Sequence, residues 1–269
     1  MTAYRVIHRG VLTVSLVLAA ATSFAQATAT QKPYEPSVGQ QGKDVVWVPT
    51  PDKLVEKMLD MAHVTAQDYV IDLGSGDGRT VIAAAKRGAR ALGIEYNPDM
   101  VELSKRNAAK AGVTDKATFM KADIFESDYS KATVITMFLL PTLNLKLRPT
   151  LLDLKPGTRI VSNSFTMEDW EADETATIAE DCTSWCTALF WIIPAKVEGT
   201  WHVGQDALTL KQVFQRITGT LGGKPISEGK LRGDEITFNV GAAKYTGRVN
   251  GNAMKGTVSG GGAWSATRP

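Results

Sequence analysis

Residues 69–80 read YVIDLGSGDGRT, and no other stretch restricts the chain as strongly. The apolar run YVIDL is short and stops at a glycine-rich turn, so it predicts a strand buried in a sheet. Gly74, Gly76 and Gly78 alternate with Ser75 and Asp77 before a helical pattern opens at Arg79. Lacking a Cβ, such glycines admit positive φ and let a ligand approach the backbone. The N–H groups at the start of the next helix face the same place.

The rhythm then repeats. A helix is predicted over residues 79–87, a second strand at RALGIE, and a second helix from Pro98 to Ala111 with Asn97 as its cap and Gly112 as its stop. ATFMKAD and ATVITMFLL predict the third and fourth strands, residues 143–154 a helix, and TRIVSNSF a fifth strand. Alternating strands and helices imply an α/β fold, a doubly wound and mostly parallel sheet covered on both faces. Near Pro194 the rhythm ends. GTWHV, ALTLKQVFQRITGTL, EITFNV, AKYTGRVNGNAMKGTV and AWSAT are short alternating runs, with a hairpin signal at Asn250-Gly251. Their alternation slips between Leu210 and Val213, which predicts a bulge. The expected tail is a small antiparallel β-barrel or curved sheet.

The N-terminus carries Arg5 and Arg9, an apolar run over residues 11–25, and small residues at Ala25 and Ala27. This predicts an export signal over residues 1–27, with an uncleaved anchor as the alternative. No later run is long and apolar enough to span a bilayer. The mature chain is expected outside the cytoplasm, in the periplasm of a bacterium. Polar residues 28–44 read as a linker, leaving an α/β domain over 45–195 and a β domain over 196–269. The formal net charge of +2, with its cations scattered, gives no sign of a nucleic-acid partner. An exported chain admits a disulfide between Cys182 and Cys186. In an extended strand their Cα atoms would lie ~13 Å apart, so a bond requires a turn or helix there.

The charges around the glycine loop indicate its ligand. A dinucleotide fingerprint would place a third glycine at position 79, which is Arg79. Asp72 and Asp77 flank the loop, Glu95 ends the second strand, and Asp123 ends the third. These carboxylates would repel a pyrophosphate and favour a cationic ligand, while Glu95 is placed to hold ribose hydroxyls. S-adenosylmethionine, with its ammonium and sulfonium, is such a ligand. No metal-ligand spacing appears. Ser75 is not a nucleophile elbow, because Leu73 stands where glycine is needed. His63 and His202 are isolated and read as packing or surface residues.

Asp72-Leu-Gly-Ser-Gly-Asp-Gly78, Glu95 and Asp123-Ile124 resemble the successive cofactor motifs of class I S-adenosylmethionine-dependent methyltransferases, which have a Rossmann-like fold. By that resemblance Asp72, Gly74, Gly76 and Gly78 face the methionine part, Glu95 the ribose, and Asp123 and Ile124 the adenine. VWVPTPDKLVEKML and FTMEDWEAD are similar to segments of the protein lysine methyltransferases related to those acting on the c-subunit of mitochondrial ATP synthase. This implies a protein-lysine acceptor, with Trp47, Val48 and Pro49 binding substrate. Phe138 and Trp170 would desolvate the amine, and Asp173 would orient it. Ala172 stands where that family has proline. Two alternatives stay open: a small-molecule methyltransferase, and an exported non-catalytic binding module that keeps the fold.

Overall fold

The computed structural model describes residues 1–3 and 33–269, so residues 4–27 of the predicted export signal and 28–32 of the predicted linker lie outside the described residues. Strand β1 (Tyr69–Leu73) is an interior strand of a seven-stranded sheet. Its neighbours are β2 (Arg90–Glu95) on one side and β4 (Val134–Met137) on the other, both parallel to it. β3 (Ala117–Lys121) extends the first side, and β5 (Arg159–Asn163) the second. An antiparallel hairpin of β6 (Glu174–Thr177) and β7 (Thr187–Ile192) completes the order β3-β2-β1-β4-β5-β7-β6. The chain reverses its direction of travel between β1 and β4, so a crevice opens there at the carboxyl ends of the strands.

Successive strand residues bury into opposite layers. Val70, Val134 and Val161 pack with helices α1 (Asp52–Met61), α2 (Arg79–Lys86) and α3 (Pro98–Ala111). Ile71, Ile135 and Ile160 pack with α4 (Pro141–Leu152) and with Trp170 and Trp191. Asn97 caps α3 by accepting from Asp99 N–H at 2.9 Å, and Gly112 ends it at φ 69°. α4 begins two residues before the predicted start because Pro141 preorganises its first turn. The fourth strand is accordingly shorter than ATVITMFLL, since residues 138–140 form the connection into that helix. β3 stops at Lys121, and Asp123 begins a turn in which its carboxylate accepts from Phe125 N–H at 2.9 Å.

The tail closes into an eight-stranded antiparallel barrel of β8 (Gly199–Val203), β9 (Asp206–Val213), β10 (Arg216–Leu221), β11 (Lys224–Arg232), β12 (Glu235–Val240), β13 (Ala243–Asn250), β14 (Ala253–Val258) and β15 (Ala263–Thr267). Trp201, Leu208, Ile217, Leu231, Phe238 and Met254 fill its interior. The bulge expected between Leu210 and Val213 is absent, because β9 pairs with β10 without interruption from Leu208 to Val213. Val213 faces solvent there and broke only the apparent phase. The register shifts instead lie between Ile217 and Thr220 and between Ser227 and Lys230. Asn250 pairs with Ala253 across the turn, and Gly251 has φ 57°.

Barrel and sheet meet along a polar seam. Trp170 donates its indole N–H to Gln215 at 2.9 Å, and Gln215 donates to the Glu171 carbonyl at 2.8 Å. Ala195 N–H reaches the Gly233 carbonyl at 2.8 Å. Among the described residues, no helix is long and apolar enough to cross a membrane.

Candidate active site

The crevice at the carboxyl ends of β1, β2 and β4 is a cleft of about 1040 Å³, its open mouth included. The glycine turn forms its floor. Gly76 has φ 53°, and a Cβ built on it would lie 2.8 Å from the Trp47 indole nitrogen. Gly78, at φ 82°, starts α2 with Phe119 and Ser104 closing in behind it, so it shapes the turn from outside the cleft. Helix α3 braces the turn: Ser104 donates to the Gly76 carbonyl and Asn107 to the Asp77 carbonyl, each at 2.9 Å. Asp77 takes a bidentate grip from Arg79 at 2.7 and 3.0 Å, and Arg79 also donates to the Thr50 carbonyl at 2.9 Å.

Three carboxylates define the polar wall. Glu95 accepts from Gly76 N–H at 3.0 Å and from Asn97 N–H at 2.9 Å, which orients it across the turn. Asp123 pairs with Lys43, whose hydrogen bond holds its carboxyl below the usual carboxylate range. Asp72 is only 6% exposed, and its described hydrogen bond is one from the Thr136 hydroxyl at 2.6 Å. Burial pushes the Asp72 carboxyl up to about 7. Thr136 opposes that, and the negative charges of Glu95 and Asp77 add to it. A buried carboxylate beside two others is a site short of a cation. The Ser75 hydroxyl on the same lining is buried with no hydrogen-bond partner. These residues fit an ammonium at Asp72, ribose hydroxyls at Glu95 and an amino-purine edge at Asp123.

The opposite wall is apolar. Residues 39–47 fold back as a small loop, with Gly39 N–H on the Trp47 carbonyl at 2.9 Å and Trp47 N–H on the Gln40 carbonyl at 2.7 Å. Trp47, Val48 and Pro49 thereby line the cleft together with Ile124, Phe138, Leu139 and Leu143. The structure brings all of the predicted cofactor and substrate residues except Gly78 onto one lining, with Phe138 beside them. Thr136 joins them as the partner of Asp72, and Tyr96, Arg79 and Lys43 join the lining itself; none of the four had a local sequence signal.

Trp170 and Asp173 are corrections, because neither lines the cleft. Trp170 is fully buried, stacked on Phe214 at 5.7 Å, and accepts from the Trp191 indole at its carbonyl. Asp173 has a fully buried side chain that accepts from Ile192 N–H at 3.0 Å and faces the Lys230 ammonium at 3.4 Å. Both belong to the seam with the barrel and cannot touch an acceptor. Cys182 and Cys186 are bonded, because a turn brings their Cα atoms to 5.8 Å. Among the described residues, no cluster of histidine, cysteine and carboxylate side chains could hold a metal.

The model of the ANTKMT methyltransferase domain family matches residues 72–174. A protein-lysine N-methyltransferase of Saccharolobus islandicus is 47% identical over 133 residues, 48% of this chain and 83% of that protein. The ATP synthase C-subunit lysine N-methyltransferase of Mus musculus is 35% identical over 130 residues. That match covers 48% of this chain, which spans about half (52%) of the mouse protein's length. The crystal structure of an RNA methyltransferase from Salinibacter ruber in complex with S-adenosyl-L-homocysteine superposes with a TM-score of 0.52 at 47% identity. It covers 56% of this chain and 96% of its own. Fold and cleft together define a class I methyltransferase whose cofactor is S-adenosylmethionine. Within that class, the chain belongs to the same family as the Saccharolobus protein-lysine N-methyltransferase.

Proposed function

We propose that this chain transfers a methyl group from S-adenosylmethionine to a lysine amine of a protein outside the cytoplasm. The observation that carries this reading is the division of the cleft. Its cofactor end is acidic, and its other wall, built from Trp47, Pro49, Phe138, Leu139 and Leu143, is apolar. Asp72 would hold the ammonium of the cofactor, Glu95 its ribose and Asp123 its adenine. When bound, S-adenosylmethionine supplies a methyl group already activated by positive sulfur. The protein's share is then to position the acceptor and to make its amine a nucleophile. A free lysine amine has a pKa of about 10.4 and is an ammonium at neutral pH. The apolar wall excludes water, disfavours the ammonium, and so releases a proton to solvent before the amine is used.

The relatives from Saccharolobus and mouse are lysine N-methyltransferases by name, which supports the same acceptor here. The Salinibacter relative is described as an RNA methyltransferase. The cleft argues against RNA, because Asp44, Asp72, Asp77, Glu95 and Asp123 face only Lys43 and Arg79 among its charged lining residues. A phosphate backbone is attracted by the opposite balance. The disulfide supports the export reading, since such bonds persist in oxidising compartments. We also infer that residues 45–195 are the catalytic domain and residues 196–269 a β domain docked to it. The test is to incubate the purified protein with labelled cofactor and an envelope protein extract. Label on protein is expected; label only on metabolites or RNA, or none, would reject the proposal.

A further inference from the structure

A cluster of three aromatic rings, packed on one another, adjoins the cleft at Phe138. Phe138 lines the cleft and is half-buried. Phe165, in the connection after β5, stacks on it at 5.9 Å with an interplanar angle of 20°. Trp185, between β6 and β7, lies 5.0 Å from Phe165 and 6.0 Å from Phe138, and is 43% exposed. The three rings thus come from three connections at one edge of the sheet and pack as one cluster, with Phe138 on the cleft lining and Trp185 partly exposed.

Their placement is maintained against backbone preference. Ser164 has φ 57° and Trp185 has φ 59°, left-handed conformations that side-chain-bearing residues rarely adopt. Such conformations persist where the surroundings over-determine them, and they cluster at functional sites. Here Ser164 N–H is bound to the Thr187 carbonyl at 2.7 Å, beside the disulfide. The Cys182–Cys186 bond closes the loop around Trp185. Lys53 ties the start of that loop to α1 through Glu180 at 3.1 Å and Asp181 at 2.8 Å. The Trp185 indole packs on both phenyl rings and still keeps 43% of its surface open on this fastened loop.

We infer that Phe138, Phe165 and Trp185 form one aromatic wall of the channel for the acceptor's alkylammonium side chain, with the disulfide loop holding Trp185 in that wall. Aromatic faces attract an ammonium, methylated or not, and their apolar rims accompany the aliphatic stem. Such a wall receives a long amine-bearing chain along its ring faces and strips water from that side of it. This rests on the protein-lysine proposal for the identity of the acceptor, yet its own test does not require a known substrate.

The experiment uses the full chain saturated with S-adenosylhomocysteine. n-Butylammonium and n-butyltrimethylammonium, which copy the lysine side chain and its trimethylated form, are titrated by calorimetry and by ligand-observed NMR. Wild type is expected to bind both. Trp185→Ala should weaken binding at least ~fivefold, the loss of a partly desolvated cation–π contact, and Trp185→Phe should restore most of it. Cofactor affinity should stay nearly unchanged in both. The Cys182→Ser/Cys186→Ser double variant should weaken binding as well while retaining cofactor affinity. In the labelling assay, Trp185→Ala should raise the acceptor KM more than it lowers kcat. If wild type fails to bind the alkylammonium probes, or Trp185→Ala binds them unchanged, the channel is wrong even where protein methylation is observed. If the probes bind through Trp185 but no protein is labelled, the channel stands and the lysine acceptor falls.

Discussion

If Asp72 holds the cofactor's ammonium, as proposed, cofactor binding depends on pH in a direction that the geometry sets. Its carboxyl is pushed up to about 7 by burial, with Glu95 and Asp77 adding to the effect. The ammonium of S-adenosylmethionine pairs only with the ionised form, so binding below neutrality must expel a proton. The ligand's own α-amino group, with a pKa of roughly 7.7–8.0, stays charged in that range. If the bound carboxyl returns to about its ordinary value, affinity should rise roughly fifteen- to twentyfold from about pH 5.5 to about pH 7.2. Near pH 7, about half a proton should leave per cofactor bound. Calorimetry in two buffers of different ionisation enthalpy measures both quantities. Asp72→Asn should abolish the proton release and weaken binding by ~1.5–3 kcal/mol, the worth of a charge-assisted hydrogen bond. The same shift acts on stability. A raised carboxyl pKa favours the fold below the unfolded value near 4, and that contribution, about 4 kcal/mol, is lost as pH rises through 7. Cofactor should therefore protect the wild type more at pH 7 than at pH 5.5, and Asp72→Asn should flatten the difference. A wild-type affinity that is level across this range, with no proton released, would refute the argument.

Three further outcomes follow from particular contacts. Gly76→Ala forces a methyl to 2.8 Å from the Trp47 indole in a left-handed backbone, so cofactor affinity should fall at least ~tenfold by calorimetry while circular dichroism is retained. Trp170→Ala removes a fully buried indole and its bond to Gln215, and should cost about 3–5 kcal/mol in denaturant unfolding. An unchanged midpoint with lost methyl transfer would return Trp170 to the acceptor site. Deleting residues 196–269 uncovers Trp170 and removes Phe214, so the remaining chain should unfold at a lower temperature in a calorimetric scan.

The glycine-turn side of the cleft was legible because its determinants are local. A strand, three glycines, a helix and a carboxylate at the end of β2 are each written in a few consecutive residues. Asn97 and Gly112 likewise mark the ends of α3 by their own backbone chemistry. The acceptor side was not legible, because it depends on where the chain goes after β5. Trp170 and Asp173 leave the carboxyl edge in sequence, but the β6–β7 hairpin returns antiparallel and carries them to the barrel. Their partners Gln215 and Lys230 lie in the barrel, far along the chain, and nothing local announces that pairing. Trp185 lacked a signal for the opposite reason: it stands in a tight turn without periodicity, and only the bonded cysteines reveal that its position is fixed. The exposed Val213 misled for a simpler reason, since one apolar residue facing solvent mimics a slip of register.

The central claim is that a methyl group passes from S-adenosylmethionine to a lysine amine at the end of the Phe138 channel. Tandem mass spectrometry of envelope proteins, after incubation with purified enzyme and isotopically labelled cofactor, locates the transferred carbon directly. The account predicts labelled methyl on lysine Nζ, reduced with Asp72→Asn at subsaturating cofactor and reduced with Trp185→Ala. Label on a carboxylate, on an α-amine, on RNA or on free metabolites, or no label despite cofactor binding, would contradict it.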